Sequence, residues 1–330
     1  MRVCVIGSSG HVNYVLQGLQ AADTDDMLAG IAPGSPGEDV ATFHRQCRSA
    51  GHEPRVFDDY SKMLDDVEPD VAAVACHFGD HAAVATEVLE RGIHLFQEKP
   101  MATELADLAT LHETWKQSGV RLAAMHGLRC TPAFQAAWQC VHAGSAGDIR
   151  LATAQKSYRL RKRPDFFRSR DSYGGTIPWV GSHAIDWLIW FVGRAPVSVY
   201  AAHSTRNNRG HGDLEVSALC HFTFPDDIFG GVNIDYLRPD SAPTHGDDRL
   251  RIAGTKGIVE VRDDKAWFLE DNGAPPEELE REPAIPIFAD FLDAVSNERD
   301  CLVSAEDSFR VTEACLRARQ SADERRVVEF

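Results

Sequence analysis

Three stretches of this 330-residue chain hold groups whose types and spacing could do chemistry. Gly7-Ser8-Ser9-Gly10 separates a short β-branched run (residues 2–7) from a helical pattern that starts after His11 and Val12. A glycine turn between strand and helix offers backbone N–H groups and a helix N-terminus to a pyrophosphate. Against the pattern G-x-G-x-x-G, Ser9 stands at the second glycine and Val12 at the third, while Gly10 is an additional glycine between them. The Ser9 Cβ narrows the approach of a phosphate, and Val12 holds the helix away from the strand. The turn thus has two readings, a dinucleotide cradle or a tight connection. The end of the second apolar run, Ile31-Ala32-Pro33-Gly34, lacks the acid that would hold ribose hydroxyls, and no Lys or Arg stands between it and Arg45 to take a 2′-phosphate.

The second stretch, Glu98-Lys99-Pro100, closes the fourth apolar run. An ammonium beside a reacting hydroxyl stabilises developing alkoxide charge. The third, KSYRLRKRPDFFRSR (156–170), carries seven Lys or Arg against one Asp. Guanidinium groups hold carboxylates bidentately, so a small anion is a credible ligand here. His245-Gly246-Asp247-Asp248-Arg249 has metal-ligand residue types, but no HxH or HExxH pair accompanies it, and no metal site is expected.

These groups sit in a regular order of elements. Apolar runs at 2–7, 27–32, 71–76, 93–100 and 119–126 alternate with helical patterns, two of which stop at Gly92 and Gly119. Alternation of this kind predicts a doubly wound parallel sheet whose ligands lie beyond the carboxyl ends of the strands. After about residue 122 a helix (131–144) leads into strand-like segments joined by short turns, interrupted by the helix SHAIDWLIWFVG. That order predicts a second, α+β domain with a large, mainly antiparallel open sheet. The expected division is 1–122 and 123–330.

Composition excludes several classes. Hydrophobic residues at 43% and charged residues at 25% are ordinary globular values. A net charge of −16 disfavours nucleic acid as a partner. No run approaches the ~20 apolar residues that span a bilayer, and the N-terminus lacks a signal-peptide pattern. The eight cysteines include no CxxC pair and read as reduced. A cytoplasmic protein without a membrane partner is expected.

Read together, EKP at 98–100, GVRLAAMHGLRCTPAF, GGTIPWVGSHAIDWLIWFVG, the GTKG turn at 254–257 and the F-x-D-F helix start resemble the Gfo/Idh/MocA oxidoreductase family. The resemblance covers most of the chain. It implies a Rossmann domain followed by an α/β domain on an open sheet, and hydride transfer between NAD or NADP, with NAD favoured, and a sugar-like, polyol or small anionic substrate. It implies that Lys99 contacts cofactor and substrate, and that His183 takes or supplies the alcohol proton, work that suits an imidazole. The cofactor would lie over Gly7, Ser8, Ser9, Gly10, His11 and Val12, over Ala75, Cys76, His77 and His81, and over Glu98, Lys99 and Pro100. His77 also reads as a surface turn residue, and His81 as structural. Substrate contacts are expected from Arg129, Tyr158, Arg163, Arg168, Trp179 and His183, with Asp186 orienting the histidine; Lys156, Arg159 and Tyr173 share the basic stretch. Homodimers or homotetramers are implied, since a broad open sheet needs a cover.

Two departures qualify the resemblance. Trp179 stands four residues before His183, where most dehydrogenase members carry aspartate, and it offers an apolar wall in place of a charge. This feature favours a lyase or hydrolase on the same scaffold. Ser9, Val12 and Ala32 favour a ligand-sensing member that has lost the cofactor.

Overall fold

The N-terminal run forms β1 (Arg2–Gly7), with every residue after Arg2 buried, as a strand covered on both faces requires. It is followed by α1 (Asn13–Ala21), β2 (Met27–Ala32), α2 (Ala41–Ser49), β3 (Arg55–Val56) and α3 (Tyr60–Val67). Next come β4 (Val71–Ala75), α4 (His81–Glu90), β5 (His94–Gln97), α5 (Leu105–Ser118) and β6 (Leu122–Ala124). In this computed structural model, which describes residues 1–22 and 27–330, these strands make one parallel sheet in the order β3-β2-β1-β4-β5-β6. The order reverses between β1 and β4, so the crevice at that switch point is where a ligand binds in such sheets. The elements α2, β3 and α3 lie in a polar-rich stretch for which no element was expected; α2 buries only Phe43 and Cys47, and α3 buries Met63, Leu64 and Val67.

Beyond β6 the chain forms α6 (Pro132–His142), β7 (Ile149–Tyr158), the short α7 (Arg170–Tyr173), one π-helical turn (Ile177–Gly181) and α8 (Ser182–Val192). It continues through β8 (Ser198–Ser204), β9 (Ser217–Phe224), β10 (Ile228–Asp235), β11 (Gly246–Gly254), β12 (Gly257–Arg262), β13 (Lys265–Glu270) and β14 (Glu277–Glu278). Helices α9 (Ile287–Ser296) and α10 (Ala305–Glu324) precede the last strand, β15 (Val328–Glu329). The second sheet has nine strands in the order β14-β13-β12-β11-β7-β10-β9-β8-β15. Every pairing in it is antiparallel except β7 with β10. One face packs under α8 and α6, while Leu151, Tyr200, Leu219, Phe229 and Leu269 stand exposed among the strands.

The chain divides into two units, one of residues 1–127, 171–174 and 285–312, the other of 128–170, 175–284 and 313–330. A division at residue 122 would cut through β6, which pairs with β5 and closes the first sheet. The return of 285–312 has a packing reason as well. Phe288 and Phe291 of α9 lie 4.9 and 5.4 Å from the Phe96 ring, and Gly18 of α1 leaves room only for a backbone in contact with Phe288. Among the described residues no helix is long and apolar enough to cross a membrane.

Candidate functional site

In the first unit the turn after β1 is held open toward the switch point by close backbone packing. Gly7 has φ +90°, and a Cβ there would collide with the Ala75–Cys76 peptide; Ser9 N–H donates to the Ala75 carbonyl at 2.7 Å. Gly10, at φ +60°, faces the carboxylate of Glu98 without room for a side chain. Val12, at the place of the third glycine, is core and begins α1.

Two carboxylates meet this turn. Glu98 is fully buried and accepts from the His11 N–H, from His11 Nδ1 at 2.9 Å and from the Lys99 N–H at 2.8 Å. Burial pushes its pKa up, but the His11 ring, its hydrogen bonds and the Lys99 ammonium outweigh that and hold it below the usual carboxylate value. The glutamate of the EKP segment thereby clamps the glycine turn. The second carboxylate, Glu38, lies six residues past β2. Its Oε1 accepts from the Ser8 N–H at 2.9 Å, and its Oε2 from the Gly34 and Ser35 N–H groups at 3.0 and 3.3 Å. An acid at the end of β2 was missing from the sequence pattern; the loop supplies one after turning back at Gly37, which has φ +74°. The Gly and Pro residues of PGSPGED were the available signal.

The remaining first-unit residues divide into open and closed positions. Ser8, Ser9, Gly10, His11 and His77 reach solvent, whereas Ala75 and Cys76 are fully buried with their carbonyls bonded to Ser9 and to the His81 ring. His81 is also fully buried, its Nδ1 2.7 Å from the Pro100 carbonyl, and burial drives its pKa down. It braces the turn after β4 against the cis Lys99–Pro100 peptide, so its place is structural rather than ligand-facing. Lys99 itself is 1% exposed. Tyr173 lies in this unit as well, 6.2 Å from Phe78.

In the second unit His183 and Asp186 stand on α8, a helix apolar on nearly all sides and therefore buried. The π-helical turn before it contains Trp179, whose indole meets Phe167 edge-on at 6.1 Å. The buried Glu215 accepts from the Thr176 N–H at 2.9 Å and pairs with Arg170, anchoring the entry to this turn. Asp186 is engaged by Arg129. It accepts from Arg129 Nε at 3.0 Å through both oxygens and from a terminal nitrogen at 2.5 Å, and both residues are 1% exposed. Arg129 and Asp186 thus form a buried bidentate ion pair. Arg168 is also spent locally, on Asp165 at 3.1 Å and the Gly210 carbonyl at 2.8 Å. Tyr158 and Arg163, by contrast, are brought together: Tyr158 stacks on His245 at 4.7 Å and lies 6.4 Å from Tyr236, and the Arg163 guanidinium lies 4.6 Å from the Tyr236 ring. Asp247 pairs with Arg249 and Asp248 with Lys156.

A parallel doubly wound sheet with a glycine turn at its switch point, followed in the chain by a large open sheet, defines a two-domain α/β protein of the Rossmann type. Residues 1–126 match the oxidoreductase family Gfo/Idh/MocA with its NAD-binding Rossmann fold, and residues 134–260 match the family's C-terminal domain. A protein from Thermotoga maritima described as an oxidoreductase is 43% identical, with a TM-score of 0.95 and 100% of each chain covered. Trans-1,2-dihydrobenzene-1,2-diol dehydrogenase of Mus musculus is 24% identical over 259 residues, 77% of this chain and 74% of its own length. D-xylose 1-dehydrogenase (NADP(+)) 2 of Haloferax volcanii is 28% identical over 171 residues, 51% of each. The chain belongs to the Gfo/Idh/MocA oxidoreductase family.

Proposed function

We propose that this chain is an NAD-dependent dehydrogenase that moves hydride to or from a hydroxyl of a sugar-like, polyol or small anionic substrate. The observation that carries the reading is the turn after β1, where Gly7 and Gly10 keep the backbone bare and Glu38 sets a carboxylate on the Ser8 N–H. A dinucleotide binds at a glycine turn between the first strand and first helix of such a sheet, and an acid beside that turn fits ribose hydroxyls. The same carboxylate disfavours a 2′-phosphate by like-charge repulsion, which supports NAD over NADP, unlike the cofactor in the Haloferax volcanii relative's name. The nicotinamide supplies the hydride acceptor or donor when bound. This chain's own part is proton handling: Lys99 stabilises the alkoxide and His183 takes or returns the hydroxyl proton.

Isothermal titration with NAD⁺, NADH, NADP⁺ and NADPH tests the reading. Micromolar binding of NAD⁺ or NADH is expected, with the NADP pair weaker; no binding below millimolar by any of the four removes it. Trp179 supports a second reading, a redox-free reaction on the same scaffold. Tight nucleotide binding without net turnover of any alcohol would favour that one.

Two further properties belong to the proposal. The exposed apolar residues of the nine-stranded sheet support self-association into dimers or tetramers through that face, measurable by light scattering. The free, buried thiols Cys4, Cys47 and Cys220 support a reducing, cytoplasmic setting.

A further inference from the structure

The basic stretch after β7 leaves two arginines without a carboxylate. Arg159 is 9% exposed; one terminal nitrogen donates to the Ala242 carbonyl, and its Nε is buried with no hydrogen-bond partner. Arg163 donates from a terminal nitrogen to the Arg159 carbonyl at 2.9 Å, and its Nε is likewise buried and unmatched. Neither forms an ion pair with any described acid. Around them Lys156 is buried with Asp248 as its partner, its Nζ 4.9 Å from the Tyr158 ring and 5.4 Å from the Trp187 ring. Burial lowers the pKa of His245, and Arg163, Arg161, Arg159 and Lys156 all press it the same way, so four cations converge on one imidazole. The acid that ion-pairs within that group is Asp248, and Asp264 also acts on Lys156.

A buried cation left unpaired is costly, and the cost is removed when an anion arrives. The surroundings say what else the ligand presents. Arg163 lies over Tyr236 and, at 5.9 Å, over Phe167, which in turn meets Trp179. Trp187 sits one helical turn beyond His183 on α8, on the same face. The cation group thus borders the aromatic side chains on either side of His183, all within the second unit.

We infer that Arg159 and Arg163 form a subsite for a carboxylate, and that the substrate is a hydroxy acid of the sugar-acid class. Its carboxylate takes the two Nε–H donors, and the rings of Tyr158, Tyr236 and Trp179 flank its carbon skeleton. A carboxylate suits the site because its two oxygens match the two unmatched Nε–H donors. The inference rests on the dehydrogenase reading only in calling this anion a substrate.

The test is calorimetric binding of D-glucuronate, D-galacturonate and D-gluconate to the full chain, each beside its neutral counterpart, D-glucose, D-galactose or D-glucitol, with D-glucose 6-phosphate as the phosphate arm. At least one acid is expected to bind about tenfold or more tightly than its neutral partner, since hydrogen bonds to charged groups are worth that much. Arg163→Gln should erase the preference, and Arg163→Lys should restore part of it. Acids that bind no better than neutral sugars, a preference that survives Arg163→Gln, or tighter binding of the phosphate overturns the inference. Thermal unfolding of each variant separates a lost subsite from a lost fold, and Arg163 is used because it is less buried than Arg159. Running the titrations with and without NAD⁺ keeps the two readings apart. Acid preference without nucleotide affinity sinks the dehydrogenase; nucleotide affinity without acid preference sinks the subsite.

Discussion

The first unit meets its carboxylates with backbone N–H groups, while the second meets its carboxylate with a guanidinium in one place and leaves guanidiniums unmet in another. Glu38 and Glu98 are acids tied into the glycine turn by Ser8, Gly34, Ser35, His11 and Lys99. Arg129 and Asp186 close on each other, both buried. Arg159 and Arg163 close on nothing acidic. The lesson is that a charged side chain in a site-like sequence position is informative only once its partner is known. A satisfied charge holds the fold, and an unsatisfied one asks for a ligand.

Four experiments break or sharpen that contrast. The largest effect is expected from the two residues proposed to handle the proton, one in each unit. Once a substrate is in hand, Lys99→Ala and His183→Ala should each slow turnover by about 10²–10⁴-fold. Steady-state rates equal to wild type in either variant would take that residue out of the chemistry. Next, Asp186→Asn strands Arg129 and should cost about 3–5 kcal/mol in denaturant unfolding, whereas Arg163→Gln, which strands no buried acid, should cost far less. Equal losses in the two variants would erase the distinction between a closed pair and an open one.

The Glu98 clamp carries a pH signature. Its folded pKa lies below the ordinary 4.5, so its contribution is fully present above that value and is lost as pH falls through the folded one. Glu98→Gln should therefore destabilise the protein at pH 7 by about 1–3 kcal/mol. The gap to wild type should close as acid is added below pH 4.5, and a gap that stays constant into acid would remove the charged clamp. The smallest effect is at Glu38. Glu38→Gln should narrow the ratio of NAD⁺ to NADP⁺ affinity by about tenfold or less, the size of one exposed charge contact. An unchanged ratio would show that the carboxylate does not face the 2′ position.

Much of the fold was legible because its signals are local. Five of the six strands of the first sheet announce themselves as short apolar runs; β3 has two exposed residues, Arg55 and Val56, and offers no such pattern. The return of 285–312 to the first unit was hidden for a different reason. The amphipathic sequence IFADFLDAVS says that α9 must bury a face, but not that the face fits Gly18 and Phe96. Within the site, EKP and GSHAID could be recognised through their resemblance to the family's motifs, and so could the departure at Trp179. The roles of Arg129, Arg168 and Asp186 could not be read, since an arginine looks the same in sequence whether its partner is a substrate, a carbonyl or an aspartate.

Sequence alone therefore determined the order of elements, the two-sheet architecture, the glycine turn and the family to which the chain belongs, because periodicity and short motifs involve neighbours along the chain. Tertiary structure alone decided which charges are spent. Glu38 reaches Ser8 across 30 residues, Arg129 reaches Asp186 across 57, and Lys156 reaches Asp248 across 92. Pairing over such separations depends on strand register and helix packing, and it is this pairing that leaves Arg159 and Arg163 without an acid partner among the described residues.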